Sequence, residues 1–233
     1  MLNLSSIQAI TLDLDDTLWP IWPTLARAEA ALVAWLRPQA PLTAMLFENA
    51  PARLVLRNRV VAARPDLAHN MSALRLEVIR HGLAQGGEDT GLAEAGFEVF
   101  FEERMRVDLF ADVLPALSRL SAKYPIVALS NGNADVARVG LAEYFHASVS
   151  AHEFGIAKPD VRIFQAAAAA ANVPAKAVLH VGDDAGLDVL GALDAGMQTV
   201  WVNREGAAWP HDSQAHVTVA DLGELCNLLA LAD

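Results

Sequence analysis

The sequence predicts an α/β fold, a doubly wound parallel sheet carrying an inserted all-helical segment. Three observations point to it. A short apolar, β-branched run at 7–12 ends in Asp13-Leu14-Asp15-Asp16-Thr17. About ninety residues with helical spacing alone follow it. From Asp112 onward strand and helix patterns alternate, which implies parallel strands joined by right-handed crossovers.

Each element has a local cause. Residues 7–12 form a largely apolar, β-branched run of strand length, so a buried strand is expected there. Pro20 and Pro23 bracket a turn, residues 25–36 have helical spacing, and Pro38 and Pro41 stop that helix. Further helices are expected at about 43–47, 52–63, 71–84 and 92–105, each set off by Pro, Gly or Asn. A helix at 113–123 then leads to a strand at 126–129 that ends in Ser130-Asn131-Gly132-Asn133. A helix at 134–144 and a short strand at 147–150 come next, and Asp160 caps a helix through Ala171. The alanine run at 166–171 is a strong helix former that permits close approach to a sheet. A strand at 178–181 ends in Gly182-Asp183-Asp184, followed by a helix at 187–195 and strands at 199–202 and 217–219. A helix at 222–231 closes the chain. The expected domains are a discontinuous core, 1–17 and 108–233, and a helical cap, 18–107, able to act as a lid hinged at 18–22 and 107–112.

Composition narrows the function classes. Apolar residues make up 54% and charged residues 19%, the balance of a globular chain. The single Cys226 excludes a disulfide within one chain, and no Cys/His cluster has zinc spacing. The first residues lack a basic segment followed by an apolar one, and no apolar run approaches ~20 residues, so neither a signal peptide nor a membrane span is expected. A cytoplasmic protein without a membrane role is the expectation. The net charge of −11 argues against nucleic acid as a partner. Segment 18–107 carries ten Arg and ten acids, whereas the remainder holds eighteen acids against seven Lys or Arg. A neutral insert within an acidic body marks two modules.

The carboxylates carry the chemistry. In an open parallel sheet, ligands sit at the carboxyl ends of the strands. Asp13 and Asp15, two apart on extended backbone, are expected to project together. Carboxylates crowded this closely require a cation or a shared proton. The competing reading is that they merely cap a turn. Ser130 and Asn131, Lys158, and Asp183 through Asp188 are placed by the same topology at the same rim.

These residues resemble the haloacid dehalogenase-like hydrolase superfamily, whose four motifs match Asp13-Leu14-Asp15-Asp16-Thr17, Ser130-Asn131, Lys158-Pro159 and Gly182-Asp183-Asp184 followed by Asp188. The matches run in order over nearly the whole chain, and the insertion corresponds to a capped subfamily. The resemblance implies a Mg²⁺-dependent phosphatase acting on a small-molecule phosphate monoester. Asp13 would be the nucleophile that becomes an aspartyl-phosphate, and Asp15 the acid and base. The ion would be held by the Asp13 and Asp183 carboxylates and the Asp15 backbone carbonyl. Ser130, the Asn131 amide and Lys158 would bind phosphate, Lys158 by neutralising charge on the nucleophile and the phosphoryl oxygens. Thr17 and Asp188 would support, Asp188 by orienting Lys158 or a metal-bound water. Asp184 is expected to be a loop residue instead of a ligand. Core stretches such as Leu179-His180-Val181-Gly182-Asp183-Asp184 look like the bacterial group that dephosphorylates flavin mononucleotide and the ribitylamino-uracil phosphate of riboflavin synthesis.

Related chemistries are weighed on single residues. Halide-displacing members lack the second motif aspartate, and Asp15 is present here. Phosphonate-cleaving members use a cap lysine, and segment 18–107 has none. A phosphosugar mutase shares every motif and stays as an alternative, as does a non-catalytic phospho-ligand-binding module. His180, inside an apolar strand, reads as a core histidine, and Trp201 as core. Trp19 and Trp22 are expected either to face substrate or to pack at the hinge. Arg53, Arg57 and Arg64 share a helix face and read as a salt-bridged surface in preference to a phosphate site.

Overall fold

The computed structural model describes residues 2–231. It divides into two compact units, Met1–Pro20 with Asp108–Asp233, and Ile21–Val107.

The first unit holds a six-stranded sheet. Its strands are β1 (Ala9–Leu12), β2 (Ile126–Ser130), β3 (Ala147–Ser150), β4 (Val178–Gly182), β5 (Gln198–Val202) and β6 (Val217–Val219), and every neighbouring pair is parallel. They lie in the order β3-β2-β1-β4-β5-β6. Strands β1, β2, β4 and β5 are buried along their whole length, which explains their mostly apolar composition. Each fully buried Ile, Leu or Val there contributes roughly 1.5–3 kcal/mol. The strand order reverses between β1 and β4, so a crevice opens beyond their carboxyl ends. Thr11 of β1 pairs with His180 of β4, which aligns the exits that carry Asp13 and Asp183.

The second unit is all helical: α1 (Ile21–Leu36), α2 (Pro41–Glu48), α3 (Ala50–Ala63), α4 (Met71–Gly86) and α5 (Ala93–Arg104). Asn49 and Asn70 cap α3 and α4 with their side chains. Leu32, Leu36, Phe47, Val60, Ile79, Leu83 and Phe100 form a core belonging to this unit alone. Arginines meet acids around it: Arg75 with Glu29, Arg80 with Glu94, Arg53 with Glu29, and Arg64 with Asp66 and Glu77. Two of the three arginines read as a salt-bridged face, Arg53 and Arg64, thus meet acids.

The helices of the first unit are α6 (Val113–Ser121), α7 (Ala151–Phe154), α8 (Val161–Ala170), α9 (Gly191–Asp194) and α10 (Leu222–Leu228). Asp160 caps α8 through a bond from the Arg162 amide at 3.0 Å. Ala167 and Ala168 of α8 are buried in one cluster with Ala9, Val127, Leu129 and Val178, so the small side chains do let the helix lie close to the sheet. A wide π-type turn, Ala185–Leu190, precedes α9.

One expected helix is absent. Residues 134–144 make a single turn closed by the Leu141 amide on the Val136 carbonyl at 2.8 Å, then a short 3₁₀ segment at Ala142–Tyr144. Asp135 Oδ1 accepts from the amides of Ala137 and Arg138, and Gly140 sits at φ 82°, which ends the turn. Smaller differences are an earlier start at Ala185 for the element expected at 187 and an end at Leu228 instead of 231.

Candidate active site

The chain leaves β1 at Leu12, and the next four residues fold into a tight loop with Asp16 at φ 57°. Asp13 follows directly from β1, its amide still bonded to the Val181 carbonyl at 3.0 Å, whereas Asp15 is delivered by the loop, and both line one cavity of about 190 Å³. The cavity is also lined by Ser130, Asn131, Gly132, Lys158, Asp183, Asp184, Leu187 and Asp188. The sequence-predicted motifs converge at one rim.

Lys158 is the hub. Its Nζ donates to Asp13 Oδ1 at 2.6 Å and to Asp188 Oδ1 at 2.6 Å, and all three side chains are buried. Burial alone would strip its proton, but the Asp13 and Asp188 carboxylates outweigh that and hold the ammonium well above its ordinary range. Asn131 fixes the backbone on which Lys158 stands. Its Oδ1 accepts from the Lys158 amide at 2.7 Å, and its Nδ2 donates to the Lys158 carbonyl at 3.0 Å. This side-chain clamp adds to the amide contact expected of Asn131. Ser130 Oγ accepts from the Gly132 amide at 2.9 Å, leaving its own proton available to a ligand. A Cβ at Gly132 would overlap Asp15 Oδ2, so glycine is required for the loop to pass that carboxylate.

The acidic residues divide into roles by their partners. Burial raises the Asp13 carboxyl well above the usual range in spite of Lys158, and Asp188 and Asp183 reinforce it. Burial and the Asp188 charge push Asp183 up to about 7. Asp183 Oδ1 accepts from Thr17 Oγ1 at 2.8 Å, and its backbone carbonyl accepts from Trp201 Nε1 at 2.6 Å. Asp188 opposes its own burial penalty through Lys158 and His180, which hold it below the usual carboxylate range. Its Oδ2 accepts from the Asp184 amide at 3.0 Å. A Cβ at Gly182 would overlap the Asp188 side chain, so this glycine makes the approach possible. Asp184 is a capping residue, accepting from the Gly186 and Leu187 amides at 2.8 and 2.7 Å.

Among the described residues, carboxylate oxygens of Asp13, Asp183 and Asp188 lie within 4.8 Å of one another. These three acids and one lysine leave a net negative site of oxygen donors, which is the donor chemistry of a hard divalent cation. The Asp188 oxygens are already committed to Lys158, His180 and the Asp184 amide. Asp13 and Asp183 are therefore the better placed pair to hold an ion.

The structure specifies three residues that the sequence left open or read only as core. Trp19 is fully buried, and its Nε1 donates to Asp15 Oδ1 at 2.8 Å, so it orients a carboxylate and presents no open face to substrate. Trp22, the second residue of α1, is 75% exposed. His180 is a buried core histidine, but both ring nitrogens are spent on side chains, Thr11 Oγ1 at 2.8 Å and Asp188 Oδ1 at 3.2 Å. Arg204 was not singled out by the sequence at all. It donates to the Thr17 carbonyl at 2.9 Å, pairs with Asp112 and stacks 3.9 Å over Phe110. No helix among the described residues is long and apolar enough to cross a membrane.

Comparison with known proteins agrees with this geometry. A family model described as haloacid dehalogenase-like hydrolase matches residues 7–196. The chain is 32% identical over 234 aligned residues to the 5-amino-6-(5-phospho-D-ribitylamino)uracil phosphatase YigB of Escherichia coli (strain K12), covering 97% of this chain and 98% of that protein. It is 34% identical to a phosphoserine phosphatase of Thermus thermophilus over 65% of this chain and 63% of that protein. A solved structure titled 2-haloacid dehalogenase, from Pseudomonas syringae pv. tomato DC3000, superposes with a TM-score of 0.89 at 39% identity, covering 96% of this chain and 98% of that one.

Proposed function

The chain belongs to the haloacid dehalogenase-like hydrolase family, and we propose that within it the protein is a Mg²⁺-dependent phosphatase acting on a small-molecule phosphate monoester. The observation that carries this reading is Asp15 beside Asp13, Lys158 and Asp183 in one cavity. Displacing a halide requires no proton donor for the leaving group. Expelling an alkoxide from phosphorus does.

The chemistry then follows from the side chains. Phosphate esters repel anionic attackers, so catalysis is mainly positioning and charge stabilisation. An Asp13 carboxylate oxygen attacks phosphorus in line, and the phosphorus–ester oxygen bond breaks. Asp15 gives its proton to the departing oxygen, leaving an aspartyl-phosphate on Asp13. A water then attacks phosphorus and gives its proton back to Asp15, which releases phosphate and restores Asp13. Lys158, Ser130 Oγ and the Asn131 amide face the phosphoryl oxygens, and the Trp19 indole keeps Asp15 aimed. Mg²⁺, held by the Asp13 and Asp183 carboxylates and the Asp15 carbonyl, supplies positive charge against the phosphoryl oxygens when bound.

Similarity to YigB along nearly the whole chain supports a riboflavin-pathway phosphate or flavin mononucleotide as the first substrates to test. The test is a panel of p-nitrophenyl phosphate, flavin mononucleotide, sugar phosphates and 2-chloropropionate, each with Mg²⁺ and with chelator. Phosphate release that the chelator abolishes is expected. The dehalogenase title of the Pseudomonas neighbour favours a second reading, and halide release without phosphate release would establish that one instead.

A further inference from the structure

We propose that His180 is a positioning residue, which, with Thr11 behind it, holds the Asp188 carboxylate so that Lys158 is pressed against Asp13. The proposal rests on Asp13 and Lys158 being the reactive pair, and it goes beyond that assignment to Thr11 and His180, which lie outside the four motifs.

The observation is a continuous buried chain of side-chain contacts. Thr11 Oγ1 meets His180 Nδ1 at 2.8 Å, His180 Nε2 meets Asp188 Oδ1 at 3.2 Å, and the same oxygen takes Lys158 Nζ at 2.6 Å. Lys158 Nζ continues to Asp13 Oδ1 at 2.6 Å. Thr11, His180 and Asp188 are no more than 1% exposed. The pleat and register enforce this line: Thr11 is two residues before Asp13 and is paired with His180 across β1 and β4.

The chemistry of the partners fixes the protons. An ionised Asp188 can only accept, so the imidazole proton sits on Nε2. Nδ1 is then an acceptor, and the Thr11 hydroxyl donates to it. Burial pushes the His180 pKa down, which agrees with a neutral ring. A histidine kept only for packing would not need both nitrogens aimed at side chains of one network. Phe164 packs against the ring, with centroids 5.1 Å apart and planes at 89°.

Asp188 accordingly receives three donors: Lys158, His180 and the Asp184 amide. Three donors to one carboxylate leave it a single orientation. Removing His180 takes from Oδ1 the donor that opposes the pull of Lys158, so the carboxylate is free to turn about the Asp184 amide and Lys158 follows it away from Asp13. The loss falls on the reacting pair and not on the leaving-group side, so it appears in kcat with KM nearly unchanged.

The experiment compares the wild type with His180→Leu, His180→Gln and Thr11→Val. Glutamine retains an N–H donor at about the reach of Nε2, and leucine does not. With p-nitrophenyl phosphate and Mg²⁺, His180→Leu is expected to lower kcat about tenfold or more with KM within about twofold, and His180→Gln to recover most of that loss. A second readout needs no turnover. In ¹⁵N-histidine-labelled metal-free protein, NMR should show His180 as the Nε2–H tautomer, and Thr11→Val should move the Nδ1 resonance. An Nδ1–H tautomer, an unchanged kcat in His180→Leu, or equal losses in the leucine and glutamine variants would overturn the proposal. If the wild type hydrolyses no phosphate ester, the phosphatase reading fails while the tautomer measurement still judges the His180 network.

Discussion

Lys158 Nζ lies 2.6 Å from Asp13 Oδ1, although 145 positions separate the two residues in the chain. The contact exists because β1 and the loop before α8 both empty onto the same rim. It joins the nucleophile of the proposed reaction to its counter-charge in a buried site, where such a pair is sensitive to the loss of either partner.

Lys158→Met is therefore expected to abolish turnover and to destabilise the metal-free protein by about 3–5 kcal/mol, because Asp13 and Asp188 remain buried without their cation. Urea denaturation measures the loss, and added Mg²⁺ should restore part of it by compensating the same charges.

Stability of the metal-free protein should also carry the signature of Asp183. Its folded pKa, pushed up to about 7, lies above the unfolded value of about 3.9. The folded state then holds a proton that the unfolded state has lost, so the contribution is fully present below about pH 4 and is lost as pH rises to about 7. Asp13, also raised, acts in the same direction. Denaturation curves between pH 4 and pH 8 should show this decline in wild type, reduced in Asp183→Asn. Since an ion displaces the proton, Mg²⁺ affinity should climb over the same interval, with proton release measurable by calorimetry in buffers of different ionisation enthalpy.

Trp19→Phe tests how Asp15 is held. It preserves most of the buried ring and deletes the one indole donor to Asp15 Oδ1. A hydrogen bond contributes about 0.5–1.5 kcal/mol, so kcat should fall by a few-fold to about tenfold with a small change in melting temperature. Unchanged kcat would show that Asp15 needs no such guide.

Arg204→Met tests the anchor beneath Asp183. The guanidinium binds the Thr17 carbonyl and Asp112, and the Thr17 hydroxyl in turn binds Asp183. Its loss should lower stability by about 1–3 kcal/mol and weaken Mg²⁺ affinity, both read in one thermal titration with and without the ion.

The sheet and its chemistry were legible because the buried parallel strands are short and mostly apolar, and β1, β2 and β4 lead into Asp13, Ser130 and Asp183. The helical unit was legible for a similar reason, since Pro, Gly and Asn punctuate its helices. What escaped was set by partners distant in sequence. His180 looks like any core residue until the pairing of Thr11 with His180 places it behind Asp188. Asn131 and Trp19 act through contacts with Lys158 and Asp15 that no spacing rule encodes. Arg204 lies far along the chain from Thr17 and Asp112, and it stands among loop residues without periodicity. The segment 134–144 has helical composition, but Asp135 folds onto its own following amides and Gly140 turns left-handed, so local hydrogen bonding outcompeted the helix.

The nucleophile assignment is tested most directly by Asp13→Asn, assayed with p-nitrophenyl phosphate and Mg²⁺ beside wild type. The amide is nearly the same shape, keeps an oxygen facing Lys158 and cannot form the acyl phosphate. A loss of about a thousandfold or more in kcat, with the fold intact by circular dichroism, is the expected result. An Asp13→Asn protein that turns over at the wild-type rate would contradict it.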